Sequence, residues 1–423
     1  MALLQLQTHC EDGLLFHDLQ SGFRPGRGTE LVALSTREKL LNVVDAGGSA
    51  ALVLLDLSAA FDTVDHSILL SRLESSFGLG DTALAWFRDF LTARTHQVKM
   101  GSFLSPITTV ENGVPQGSAL SPILFNIYLR PLPDIIAKHG LWFHLYADDV
   151  QLVADDLTYP DMPFRLANCL RYIYHWMTIN KLCLNGNKTE VMIVGKGKTD
   201  FLQNWPTELG LTPNPKDKVT VLGVILDEKL SMIPQVRQSV SRASHFLRLI
   251  RKAKHLLTQD QRKDLVQALI ISRLDFSNGV LLGIPMKWSK KLQLVQNQAA
   301  RLIYNLQKQD HISPVLKELH WLPVTKRADF KILCLIYRGY HQLGPQFLSD
   351  LTPHYIPRRC LRSADKALLI GNTDRLISIG GKRIGSAGAT LWYQIPLNIR
   401  ISRSLYTFRK KLKTWLFCQA FQS

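Results

Sequence analysis

Residues 141–156 read LWFHLYADDVQLVADD. Two short apolar runs flank Ala147-Asp148-Asp149, and such runs around a polar break read as two β-strands folded about a tight turn at Ala147–Asp149. The reading leaves two carboxylates at the edge of a core. Carboxylates there are costly unless paired or bound to metal, and no Lys or Arg occurs in residues 140–160. A lone Asp-Asp doublet is more often a polar turn. Asp155-Asp156, at the end of the second run and before loop residues, is read that way.

Working outward, Ala50–Leu57 (AALVLLDL) follows Gly47 and Gly48 and reads as a buried strand with Asp56 near its carboxyl end. It too lacks basic neighbours, with no Lys or Arg in residues 40–71. The stretch HSILLSRLESSFG predicts a helix ending at Gly78, and a second covers Thr82–Thr92 with Trp86, Phe87, Phe90 and Leu91 on or near one face. Residues 95–111 alternate as a β-hairpin. Ser121 as N-cap and Pro122 at the first helical position open ILFNIYLRPL. Residues 164–182 are expected helical, with strands at Thr189–Val194 and at Val219–Leu226, the latter with Gly223 inside.

Beyond about residue 232 the pattern is helical: Ile233–Leu257, basic and amphipathic; a helix opened by a Thr258/Gln261 capping box; Ser289–Leu306; Pro323–His341; and a basic terminal helix, SLYTFRKKLKTWLF. The boundary falls near residue 230, mixed α/β before and mainly helical after.

Charge divides the same way. Residues 1–180 carry 12 Lys+Arg and 19 Asp+Glu, 12 − 19 = −7; residues 181–423 carry 39 and 15, 39 − 15 = +24, which together give the net +17. An acidic half and a basic half suit an enzyme that gathers cations in one place and a polyanion in another. The six cysteines form no CxxC pair, so neither a zinc site nor a disulfide framework is expected, and reduced thiols imply an intracellular protein. No apolar run is long enough to span a bilayer, and MALLQLQTHC lacks the features of a signal peptide.

LDLSAAFD, GVPQGSALSP and YADD occur in that order. They resemble motifs A, B and C of the reverse transcriptase palm. SGFRPGRGT (21–29) resembles the fingers-to-palm segment of LINE-type, non-LTR retrotransposons; NGNKTEVMIVG (185–195) resembles motif D, and VTVLGVILDEKLS (219–231) motif E, the primer grip. HWLPVTKRADFK, ATLWYQIPLNIR and FRKKLKTWLF resemble the carboxyl-terminal region of such elements. The resemblance implies an α/β (α+β) right-hand polymerase palm with partial fingers (1–230), a helical thumb (231–310) and a basic carboxyl-terminal region (311–423). Family members carry more fingers sequence and an endonuclease domain upstream, whereas 20 residues precede Ser21 here. Either an amino-terminally truncated element or a sequence that begins inside a longer one is therefore expected.

The resemblance also implies roles. Asp56, Asp148 and Asp149 would hold two Mg²⁺ ions, or Mn²⁺ in their place, about 3.5–4 Å apart, with the Leu57 carbonyl joining Asp56. Phe61 would sit under the sugar and reject a 2′-hydroxyl. Gln116 would stand beside the incoming nucleotide, with Gly113 and Gly117 allowing close backbone approach. Lys188 would give a proton to pyrophosphate, and Arg24 and Arg27 would touch phosphates. Leu222 and Gly223 would belong to the primer grip; Arg242, Arg248, Arg251, Lys252 and Lys254 would track nucleic-acid phosphates. The implied partners are an RNA template, a DNA primer and deoxynucleoside triphosphates, in the nucleus and away from membranes. A catalytically silent nucleic-acid-binding remnant is the alternative. An RNA-dependent RNA polymerase is disfavoured by Phe61, where a polar residue would be needed.

Overall fold

The two apolar runs around Asp148 are strands, Trp142–Tyr146 and Asp149–Asp155, paired antiparallel in the computed structural model. The structure describes residues 1–197, 199–353, 355, 367–371 and 374–421; Cys360 lies outside them. The chain forms two units, Met1–Gly28 with Gly48–Lys216, and Thr29–Gly47 with Asp217–Ser423.

The first unit is built on a five-stranded sheet in the order 214–215, 190–195, 49–55, 149–155, 142–146. All pairings are antiparallel except that of Glu190 with Asn214 and Val191 with Pro215. The central strand, Ser49–Leu55, is buried on both faces, as its unbroken apolar run predicts. Ala51, Val53 and Leu55 alternate into one core cluster with Leu124, Phe125, Val150 and Leu152. Full burial of such side chains contributes about 1.5–3 kcal/mol each, so this cluster anchors the strand ends that carry the aspartates. Helices Ala2–Asp12, His66–Ser75, Asp81–Leu91, Ser121–Leu129 and Met162–Ile179 complete the unit. Asp65 caps the second of these, its carboxylate accepting from the Ser67 and Ile68 amides.

Several local expectations change. The strand read as Ala50–Leu57 ends at Leu55; Leu57 and Ser58 pair instead with Leu184 and Cys183. Asp56 sits at the break, where its carbonyl accepts from the Asn185 amide at 2.9 Å. Ser121 is the first residue of its helix and not its cap, because its hydroxyl donates to the Pro115 carbonyl at 2.6 Å. Leu84, Phe87 and Leu91 form the buried face of helix 81–91, while Trp86 is exposed and stacks on Phe90 at 5.7 Å. The 95–111 hairpin is present, with Arg94–His96 paired to Thr108–Val110 and Lys99–Met100 to Phe103–Leu104.

The second unit is mainly helical. Helix Thr29–Asp45 belongs to it, although its sequence lies far from the rest. Its charged residues fasten it inside the unit. Buried Arg37 donates to the Lys382 and Leu282 carbonyls at 2.8 and 3.0 Å. Glu38, pushed up to about 7 by burial, accepts from the Ile384 amide at 3.1 Å. Asp45 accepts from the Leu376 amide and pairs with Arg383.

Val219–Leu226 is not one strand. Lys218–Val221 and Val224–Asp227 form a hairpin, and Leu222 and Gly223 are its two-residue turn, both at positive φ (47° and 82°). Helix Ile233–Ala253 buries Val236, Ala243, Leu247 and Ile250. Thr258 and Gln261 make the reciprocal capping box that their spacing predicts. Helices Met286–Tyr304, Val324–Tyr340 and Leu405–Phe421 follow. Among the described residues no helix is long and apolar enough to cross a membrane.

Candidate active site

Antiparallel register brings the three aspartates together at the backbone level. Leu55 pairs with Val150 and Tyr146 with Asp149, so Asp56 follows its strand's last paired residue while Asp149 opens the neighbouring strand. Ala147 and Asp148 form the intervening two-residue turn. Ala147 has φ 54°, a conformation that costs an L-residue on the order of 1 kcal/mol.

The segment 19–23 holds that turn. Leu145 exchanges backbone hydrogen bonds with Leu19 and Ser21 at 2.9 and 2.8 Å. The Ser21 hydroxyl meets His144 Nε2 at 2.8 Å, and burial drives this imidazole down to about 3, so the link stays neutral at ordinary pH. Asn126 Nδ2 donates to the Gly22 carbonyl at 2.5 Å. Gly22 itself lies so close to the turn that a Cβ there would stand 2.3 Å from the Ala147 nitrogen. The glycine is required by close approach, and its φ is ordinary.

The electrostatics match the register. Desolvation, then the negative charge of Asp148, then that of Asp56, push the Asp149 carboxyl up to about 6, although Asp149 keeps an exposed face. Three carboxylates thus feel one another. They are not without a basic neighbour: Lys188 Nζ lies 3.1 Å from Asp56 Oδ2, a pair with 66% and 31% of its side chains exposed. So open a pair is worth well under about 1 kcal/mol and is easily exchanged. Among the described residues no group of three His, Cys, Asp or Glu is placed so that it could hold a metal ion. The chemistry of the three aspartates is still the kind a hard divalent cation takes, carboxylate oxygens on neighbouring strand ends and the turn between them.

Phe61 stacks on buried Phe125, with ring centroids 4.6 Å apart, and meets half-exposed Phe23 edge-on at 6.4 Å. It is partly buried. Gln116 donates to Asp62 Oδ1 at 2.8 Å. Gly113 and Gly117 both have φ 87°, but only Gly113 is hemmed in, by the Asp62 carbonyl; Gly117 opens onto free space. Leu57 is fixed by its pairing with Leu184.

Arg24 is engaged inside the chain. Its guanidinium forms a two-point ion pair with Glu11 at 2.7 Å and donates to the His17 and Gln20 carbonyls at 2.8 Å, with 6% of the side chain exposed. Arg27 is likewise held by Asp18. Both side chains brace the 17–27 loop. Asp155 and Asp156 are structural, as their position suggests: Asp155 accepts from Thr158, and Asp156 from the Ser49 amide and Thr199. Arg242, Arg248, Arg251, Lys252 and Lys254 are exposed in the second unit, on helix 233–253 and the turn after it. The residues missed by sequence reasoning are Gly22, Asn126 and His144, which hold the turn; SGF beside an Asp-Asp turn offered no local signal for such an approach.

Residues 1–226 match the family described as reverse transcriptase (RNA-dependent DNA polymerase). The chain is 25% identical over 296 residues to the probable RNA-directed DNA polymerase from transposon BS of Drosophila melanogaster, covering 68% of this chain and 32% of that protein. It is 27% identical over 302 residues to the corresponding X-element protein of the same fly, covering 67% and 31%. It is 31% identical over 146 residues to the Pol polyprotein of the type-1 retrotransposable element R2 of Popillia japonica, covering 32% and 23%. The chain thus spans about a third or less of these relatives' lengths. A solved Candida tropicalis telomerase, in complex with a fragment of telomeric RNA, aligns with a TM-score of 0.41 and 11% identity over 98% of this chain and 55% of that one. With over half of the chain matched by the family and the BS, X-element and R2 proteins among its relatives, the chain belongs to the reverse transcriptases of non-LTR retrotransposons.

Proposed function

We propose that this chain carries out RNA-templated DNA synthesis, adding deoxynucleotides to a primer 3′-end by two-metal nucleotidyl transfer. On this reading the first unit's sheet is the palm, and the helices after the Leu222–Gly223 turn begin the thumb. The observation that supports it most is the antiparallel register that brings Asp56, Asp148 and Asp149 to the ends of adjoining strands and the turn between them.

In this reaction the 3′-oxygen forms a bond to the α-phosphorus while the bond to pyrophosphate breaks. Bound Mg²⁺ would lower the charge on both oxygens and favour the hydroxyl's deprotonation. The chain's residues do the rest. The aspartates gather negative charge at a rigid turn, giving cations a fixed place. Phe61, backed by Phe125, excludes a ribose 2′-oxygen by volume. Gln116 and the open backbone at Gly117 border the nucleotide. Lys188 exchanges Asp56 for the departing pyrophosphate and supplies its proton. RNA template, DNA primer and deoxynucleoside triphosphates are the substrates, and a nuclear site of action is part of the proposal.

The test is primer extension on an RNA template with the purified chain, with and without Mg²⁺. Metal-dependent incorporation of deoxynucleotides is expected, and template binding without extension at any metal concentration would defeat the proposal. That second result would favour a silent binder, a reading to which the Lys188–Asp56 pair lends support.

A further inference from the structure

Helices Val324–Tyr340 and Leu405–Phe421 flank a cavity of about 560 Å³ within the second unit. Its lining is laid down by helical spacing. Leu405, Arg409 and Lys413 recur every four residues along one helix; Arg327, Lys331 and Arg338, with Phe330 and Leu335, line it from the other. Five cations therefore border the space against two carboxylates, Asp275 and Glu30.

Those two carboxylates are already satisfied. Asp275 takes Arg327 in a two-point ion pair, and Glu30 Oε2 takes Lys331 Nζ at 2.8 Å. Arg409 and Lys413 have neither hydrogen-bond nor ion-pair partners among the described residues, and both are exposed. Arg338 and Arg409 come from different helices, yet both act on the thiol of Cys334, which burial pushes up to about 12. Arg338, which donates to the Leu343 carbonyl, lines the same cavity from helix Val324–Tyr340. The wall is not uniformly polar: Phe330, Leu335 and Leu405 give it an apolar side. A phosphate with a flat apolar group attached meets both halves, and the volume lies in the range of small-ligand sites.

We infer that this cavity binds one nucleotide unit, its phosphate held by Arg409, Lys413 and Arg338 and its base laid against Phe330 and Leu335. The unit is either a splayed-out nucleotide of single-stranded RNA or a free nucleotide, which share this chemistry. The site is separate in sequence from the basic helix 233–253, and it does not depend on the polymerase reading.

The experiment uses the full chain in EDTA, so that the aspartates recruit no metal. A fluorescent 12-nucleotide oligouridylate reports binding by anisotropy, and unlabelled UMP and a poly-glutamate peptide serve as competitors. The double variant Arg409→Gln/Lys413→Gln changes two exposed side chains; an unchanged circular dichroism spectrum and melting temperature confirm its fold. It should weaken oligonucleotide binding about tenfold or more and flatten the salt dependence by about 1.4, roughly 0.7 for each phosphate that is no longer neutralised. Phe330→Leu should weaken binding severalfold and leave the salt slope intact. A 4-thiouridine oligonucleotide should cross-link within residues 322–338. If UMP saturates the wild type and not the double variant while the oligonucleotide responds to neither change, the same site serves a free nucleotide. The inference is overturned if the double variant binds both probes with unaltered affinity and salt slope, or if poly-glutamate competes as well as the nucleotides.

Discussion

Replacing Gly22 with alanine should disable the Asp148–Asp149 turn from outside it. A Cβ at Gly22 would stand 2.3 Å from the Ala147 nitrogen, and ordinary van der Waals approach begins near 3.4 Å, so one backbone must retreat by 3.4 − 2.3 = 1.1 Å. Neither side yields easily. Gly22 is tied through its carbonyl to Asn126, and the preceding residue through its amide to Leu145; Ala147 already sits in a strained conformation. Overpacking of this kind costs about 1–3 kcal/mol, and a reacting group displaced by about 1 Å loses on the order of 100-fold in rate. Urea denaturation should show the first effect, and single-turnover primer extension should show the second at saturating nucleotide. Gly28→Ala is the control, because nothing lies within 4 Å of its Cβ position. Unchanged stability and turnover in Gly22→Ala would refute the claim that the 19–23 segment sets the turn.

Phe61→Val should raise the ratio of ribonucleotide to deoxynucleotide incorporation; an unmoved ratio would make Phe61 a packing residue of the Phe23–Phe61–Phe125 group and not a gate. Asp149 is raised from 3.8 to about 6, so in EDTA the folded state favours its protonated form. That advantage is complete below about pH 4 and lost as pH rises through about 6. Asp149→Asn should therefore gain stability relative to wild type across this window, by less than about 1 kcal/mol given the group's exposure, and parallel melting curves across pH would contradict the coupling. Changing Arg242, Arg248 and Arg251 to Gln should flatten the salt dependence of duplex binding by about 0.7–0.9 for each phosphate these side chains neutralise, whereas an identical slope would leave these residues as a solvated helix face.

The apolar runs on either side of Asp148 are a local signal, and the strands and turn are found where they lie. The end of the preceding strand at Asp56 was not readable. It follows from Leu57 pairing with Leu184, a partner far along the chain, while in sequence Leu57 reads as more of the same strand beyond Asp56. The Lys188–Asp56 pair escaped for the same reason: a search for basic residues near each aspartate in sequence passes over a loop 132 residues away. Arg24 resembled a phosphate ligand because its consumer, Glu11, lies on an amino-terminal helix whose weak amphipathicity gave no sign of it. Leu222–Gly223 hid within an apolar run because leucine is a poor occupant of positive φ. Arg37 and Glu38 carry no sequence signal, because the Leu282 and Lys382 carbonyls and the Ile384 amide they meet lie far along the chain.

The most direct test of the central claim is Mn²⁺ binding followed by electron paramagnetic resonance, with primer–template and a non-hydrolysable deoxynucleotide present. Mn²⁺ replaces Mg²⁺ at carboxylate sites and is counted by its own signal. The account predicts two bound ions in the wild-type chain, spin-coupled by their short separation, and loss of the coupled pair in both Asp56→Asn and Asp148→Asn. Equal Mn²⁺ binding and coupling in all three proteins would contradict it.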